Sequence, residues 1–415
     1  MRRWGWKWVL VCVCLCMCHV AAAQEFRVWD RSVQVHGFFS QGFVYTDGNN
    51  WLTMNTSQGS GAMTDMGLNL SSQLTDRFRV GAQVYDRNLG QLGQWHPSLD
   101  WAVADYRFTN WFGIRAGKVK TTLGLYNDSQ DLDFMRVFAL LPQGVYPADL
   151  RDATIAHSGA DIYGNVPLQR LGDLAYTVYA GRRSDSIYSG YPTLIQQWHI
   201  FLRELQGPQY GIDVRWNGSR GLTVGASRMN QEITGKGTFV NFLDPASGGI
   251  PFRSTTPTYW TNLFYGEYRF KRLRVDMEYR RDYFQAAYLP GLNVQTDTRA
   301  WYIAASYKLH KRIFLGSYYS HYTLKNHITP ELMPLLGPLG QLLGQGDASL
   351  PQNHIYDKVV AGRVDLNQFC YLKIEGHFMD GYGWGAYPNG FYPQQNPTGF
   401  KPNTAALVVK TGFHF

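Results

Sequence analysis

Period-two alternation, repeated along nearly the whole chain, restricts its fold more than any other feature. From Leu273 to Tyr283 one face carries Leu273, Val275, Met277 and Tyr279, and the other carries Arg274, Asp276, Glu278, Arg280 and Asp282. From Cys370 to Met379 the apolar positions are Cys370, Leu372, Ile374, Gly376 and Phe378, opposed by Lys373, Glu375 and His377. Phe78, Val80, Ala82 and Val84 likewise alternate with Arg79, Gln83, Tyr85 and Arg87. Successive side chains of a strand point to opposite faces, so each run reads as a strand with one apolar and one charged side.

The connections sort into two kinds. Compact polar turns at Thr75 to Arg77, Thr109 to Trp111, Asn217 to Arg220, Lys271 to Arg272, His310 to Arg312 and Asn367 to Gln368 each join two runs, and a seventh pair meets across 164–171. Eight longer Gly, Pro, Asn and Ser-rich segments separate these hairpins, near 47–61, 88–97, 121–152, 184–208, 233–257, 284–296, 323–354 and 382–403. With a first strand from Val33 to Thr46 and a last from Thr404 to Phe415, the count is 16 strands of about 9–14 residues. Eighteen would need two more strands within 184–208, 233–257 or 323–354.

Bilayer hydrocarbon satisfies no backbone N–H or C=O, so a chain crosses it only as helices or as a closed sheet. A tilted strand of about ten residues is long enough. Mean hydropathy is −0.29, and the only long apolar run is at the N-terminus. A helical membrane protein is therefore excluded, and 27 Tyr, 23 Phe and 13 Trp exclude a disordered chain. The expected fold is all-β, a transmembrane antiparallel β-barrel with short periplasmic turns, long extracellular loops and no soluble domain. Trp101, Trp111, Phe112, Trp216, Trp260, Phe270, Trp301, Phe314 and Tyr322, toward strand ends, are expected to form interfacial girdles.

Arg2, Arg3 and Lys7 precede an apolar stretch from Trp8 that ends Ala21-Ala22-Ala23, the pattern of a cleaved secretory leader over residues 1–23. The barrel would occupy 24–415. Cleavage lowers the formal charge from +8 to +5 and leaves Cys370, at a lipid-facing position, as the single cysteine, so no internal disulfide is expected.

Catalytic and metal patterns are weak. Asp128, Asp131 and Asp133 are spaced to clip Ca²⁺ but lack the glycine turn and distal glutamate of a calcium loop. The histidines are scattered, and neither a nucleophile elbow nor a phosphate loop is present. The reading therefore takes no catalytic residue, metal or cofactor, and no nucleic-acid partner.

At the C-terminus Phe415, Phe413, Thr411, Val409 and Leu407 share one face of a strand, and His414, Gly412 and Lys410 share the other. This ending, with the segment DYRFTNWFGIRAGKVKTTLGLYN at 105–127, resembles the Gram-negative outer-membrane porin family, of the trimeric sixteen-stranded diffusion type. The resemblance implies an outer-membrane location and a water-filled channel for passive diffusion of small hydrophilic solutes or ions. It also implies a homotrimer in contact with outer-membrane lipid and lipopolysaccharide, and an assembly signal at Phe413 and Phe415 read by the barrel assembly machinery. It further implies that the third long loop, 121–152, folds inward as a constriction. That loop carries Asp128, Asp131, Asp133 and Arg136, and would face a wall on which Arg79, Arg87, Asp105, Arg107 and Arg115 share the polar parity. Lys118 and Lys120 take the opposite parity near the loop mouth. The balanced set Arg274, Asp276, Glu278, Arg280 and Asp282 reads as wall charges paired with their neighbours. Five Asp against two Arg in the loop oppose the positive mature chain, so the preferred ion sign stays open. The competing readings are an eighteen-stranded channel selective for phosphate or another anion, an outer-membrane barrel enzyme, and a structural adhesin.

Overall fold

The computed structural model of the chain describes residues 24–28, 31–240, 248–289, 292–328, 349–383 and 389–415. The expected leader, 1–23, lies outside them. Seventeen strands run in chain order: β1 (Gln24–Val28), β2 (Arg31–Asp47), β3 (Ser60–Thr75), β4 (Phe78–Leu89), β5 (Ser98–Thr109), β6 (Phe112–Lys120), β7 (Ala156–Pro167), β8 (Asp173–Ser184) and β9 (Ile200–Asn217), then β10 (Leu222–Phe239), β11 (Ile250–Phe270), β12 (Leu273–Leu289), β13 (Leu292–Lys308), β14 (Ile313–Ile328), β15 (His354–Asp365), β16 (Cys370–Asp380) and β17 (Asn403–His414).

Strands β2 to β17 each pair antiparallel with their sequence neighbours. The ring closes where β17 pairs with β2, from Ala405 opposite Asp47 to His414 opposite Phe38. The result is a closed sixteen-stranded barrel with no free edge. Because β8 pairs directly with β9, β10 with β11 and β14 with β15, no seventeenth or eighteenth wall strand is inserted where the longer count required one. The short β1 was not expected. It forms a hairpin with Arg31 to Val35 of β2, beyond the end of β17.

Two of the expected loops shrink. β11 is 21 residues long, β10 runs on to Phe239, and β12 and β13 extend to Leu289 and from Leu292, so most of 233–257 and 284–296 is strand. Outside the lipid nothing stops a polar ladder from continuing, and turn-rich composition there marks the tips alone.

Sidedness follows the alternation. Val84 is 49% exposed, Met277 54% and Ile374 53%, all on the outside, while the inward Gln83, Glu278 and Lys373 are buried. Trp111 is exposed on the outer surface, but three expected girdle aromatics face inward. Tyr322 and Phe314 belong to an interior cluster, and Trp101 stands opposite the inward Gln83. A position near a strand end does not select the lipid face; parity does. Cys370 is buried.

The interior is filled unevenly. Leu123, Val137, Phe138, Leu141, Val145 and Tyr146 from the β6–β7 loop pack with Leu263, Tyr302, Tyr318, Tyr322 and Val359 of the wall. A second cluster near the long-loop end joins Trp51, Leu52, Leu92 and Phe391 from three loops to Ala139 and Leu140.

Candidate functional site

The chain between Lys120 and Ala156 is the longest fully described connection, and its polar contacts reach strands all around the ring. It enters at Thr121, whose hydroxyl is 2.9 Å from His157 Nδ1 and accepts from Gln209 at 2.9 Å. Gly124 then turns with φ +68°, where a Cβ would crowd Tyr146 Oη and the Glu278 carboxylate. Only glycine fits that conformation and that space. Glu278 accepts from Leu125 N at 3.0 Å, Tyr146 Oη at 2.7 Å and Tyr302 Oη at 2.6 Å. Tyr126 donates to Asp276 at 2.5 Å.

Farther along, the loop grips the last strands. Lys373 donates to the carbonyls of Asp133 at 2.6 Å and Phe138 at 2.9 Å. Glu375 accepts from Ala139 N at 3.0 Å and Leu140 N at 3.2 Å. The Asp133 carboxylate lies 2.9 Å from Lys410 Nζ and also accepts from Tyr371. Lys410 is shared with Asp65 at 2.9 Å. Burial by itself would raise the Asp133 pKa, but the ammonium groups of Lys373 and Lys410, with Arg136, more than reverse this and hold it well below the usual carboxylate range. His414 stacks on Phe134 with ring centroids 4.3 Å apart.

The loop returns past β4 and β5. Asp131 accepts from Lys120 and Gln83, each at 2.6 Å. Arg87 donates to the carbonyl of Ala148 at 2.6 Å and lies 3.5 Å from Asp152. A short helix, α1 (Arg151–Thr154), presents Arg151 to Asp100 at 2.8 Å, with its guanidinium 4.0 Å from the Tyr85 ring centroid. Asp100 is the extra residue of a β-bulge, because Gln83 pairs with Trp101 and Val84 with Leu99. The bulge aims a carboxylate inward where regular alternation would not. Asp149 accepts from Gly390 N at 2.7 Å and Tyr392 Oη at 2.9 Å. Burial raises its pKa, and these two neutral donors offset the rise only in part.

A segment that contacts β4, β12, β15, β16 and β17 at once can do so only from within the barrel. Several cavities lie against it, two of them lined by Arg136. The larger of these, about 410 Å³, opens at the short-turn end beneath the loop and is lined by Arg215, Arg269, Arg274 and Glu267 of the strands and by Leu125, Leu132, Met135 and Arg136 of the loop. The smaller, about 60 Å³, is lined by Arg87, Asp131, Asp133, Arg151, Asp65 and Lys410, and Arg136 is common to both.

Of the pore-lining residues expected from sequence, Arg87, Asp131, Asp133 and Arg136 come together on the smaller cavity. Arg79, Asp105, Arg107, Arg115 and Asp128 line neither cavity. Arg79 pairs in register with Asp105, and Asp105 with Arg115, on the inward face of β4 to β6. Arg115 is engaged by Asp161 at 3.2 Å, Arg107 is exposed near a short turn, and Asp128 is exposed on the loop. Four of the five wall charges of β12 pair with neighbouring charges, Arg280 with Asp282 at 2.8 Å and Arg274 with Asp276 at 2.9 Å and also with Glu267, whereas Glu278 is held by neutral donors. Sequence reasoning did not single out Arg215, Arg269 or Lys410. Their inward parity was readable, but their height along the barrel was not. Among the described residues no group of three or more His, Cys, Asp or Glu is placed to hold a metal.

A closed ring of sixteen antiparallel strands, apolar outside and charged within, with one long loop folded into its lumen, is a transmembrane β-barrel, and solved outer-membrane porins share that fold. No family model matches the sequence, and no curated protein matches it. Among solved structures, OmpT of Vibrio cholerae superposes with a TM-score of 0.58 at 12% identity, over 95% of this chain and 100% of that one. An anion-selective porin from Comamonas acidovorans matches with a TM-score of 0.55 at 12% identity, over 93% and 100% of the two chains. OmpF of Salmonella typhi gives 0.54 at 12% identity, over 94% and 100%.

Proposed function

We propose that the protein is an outer-membrane porin that lets small hydrophilic solutes or ions diffuse passively, with 121–152 as its constriction loop and no catalytic role. The observation that carries this reading is the meeting of the two charged cavities at Arg136. A charged, low-dielectric passage focuses its field on whatever crosses it. Arg87, Asp131, Asp133 and Arg136 form the narrow part, and Arg79, Asp105, Arg107, Arg115 and Asp128 line its approaches. The assembly is a homotrimer, a state in which one neighbour, OmpT of Vibrio cholerae, has been solved.

Conductance of the refolded chain in planar bilayers tests the reading. Stable ohmic steps in groups of three are expected, and Arg136→Ala should raise unit conductance and shift the reversal potential in a salt gradient. A silent bilayer from demonstrably folded protein would overturn it.

A further inference from the structure

We propose that the cavity beneath the loop is a binding site for small organic anions, carboxylates carrying an apolar body, open at the short-turn end; this rests on the porin reading. The cavity volume, about 410 Å³, falls in the range of small-molecule sites, roughly 300–1,000 Å³. Its charge is one-sided, with four arginines against Glu267. Glu267 is already engaged by Arg269 at 2.5 Å and by Arg274. Arg136 and Arg215 have no carboxylate within ion-pair distance among the described residues. Arg136 donates to the carbonyls of Ser129 at 3.2 Å and Gln130 at 2.7 Å. Arg215 donates to Tyr265 Oη at 3.1 Å and the carbonyl of Gly124 at 3.0 Å. Neutral oxygens hold both guanidiniums in place and no carboxylate pairs directly with either, a condition that favours a planar carboxylate able to accept paired N–H groups.

The loop side of the cavity decides the rest of the ligand. Leu125, Leu132 and Met135 border the same cavity, and Met135 is 64% exposed in a loop whose other apolar side chains are mostly packed. An inorganic anion would leave this surface wetted. An aromatic or branched aliphatic body covers it, and a thioether packs well against a ring.

Calorimetry on the folded protein in detergent, with benzoate, its neutral counterpart benzamide and inorganic phosphate, tests the site without requiring conduction. Benzoate is expected to bind about tenfold or more tightly than benzamide, the worth of one charged hydrogen-bonded pair, and more tightly than phosphate. Arg215→Gln should weaken benzoate about tenfold by the same reasoning. Met135→Asn, on an exposed side chain that leaves the fold intact, should bring benzoate down to the level of phosphate. Equal binding of benzoate and benzamide, or of benzoate and phosphate, would overturn the proposal, as would benzoate affinity unchanged in both variants. Benzoate binding beside a silent bilayer would uphold the site and remove the channel reading, and conduction without benzoate binding would do the reverse.

Discussion

Two buried aspartates of one loop, 16 residues apart in the sequence, answer differently to their surroundings. Asp133 faces Lys410 and Lys373, whereas Asp149 is held by a backbone N–H and a tyrosine hydroxyl. Asp133→Asn leaves two buried ammonium groups short of a partner and should cost about 3–5 kcal/mol. Asp149→Asn keeps an oxygen to accept both donors and loses a charge that burial disfavours, so stability at neutral pH should hold or rise. The temperature at which the folded band is lost on semi-native gels compares them. The pH dependences have opposite signs. Asp133, depressed in the fold, contributes stability above its unfolded value of about 3.9 and loses it only as pH falls through the lower folded value. Asp149, raised in the fold, contributes below about 3.9 and loses this as pH rises through its folded value. Wild-type channels should therefore stay quiet from neutral pH down to about 4, and open-channel noise already growing at pH 5 would contradict this account of the anchor.

The β6–β7 loop is held as an element by contacts at separate points, and each can be cut without touching the barrel ladder. Its entry depends on Gly124, whose φ of +68° and missing Cβ let Glu278 gather Leu125, Tyr146 and Tyr302. Gly124→Ala should strain this entry by about 1–3 kcal/mol and displace the loop while the sixteen strands still close. The expected result is a normally folded barrel on gels with altered unit conductance; unchanged conductance would mean that the entry is not what sets the passage. The bulge at Asp100 works at the same scale, since it turns inward a carboxylate that meets Arg151.

Closure is a property of the whole molecule, and the last residue takes part in it. Phe415 exchanges backbone hydrogen bonds with Gly37, at 3.2 and 3.0 Å, and its ring lies 5.9 Å from that of Phe413. Deleting Phe415 removes both bonds, a loss of about 1–3 kcal/mol at the seam. The yield of folded protein in membranes should fall several-fold while refolding in detergent persists. Unchanged membrane yield would show that assembly does not read this end.

Strand number, sidedness and the short-turn rhythm were legible in the sequence because each is local. Alternation at Leu273 to Tyr283 or Cys370 to Met379 states which side chain faces lipid without reference to any other strand. Of the residues expected from parity and loop order to line a passage, Arg87, Asp131, Asp133 and Arg136 meet on the smaller cavity. Local patterns carry neither height nor partner, so Arg79, Asp105, Arg107 and Arg115 have the right face and line neither cavity. The pairing of Asp133 with Lys410, the inward turn of Asp100 and the gathering of Arg136 and Arg215 around one cavity exist only once the ring has closed. Alternation fixes the direction of a side chain relative to its own strand, and closure fixes what it meets there.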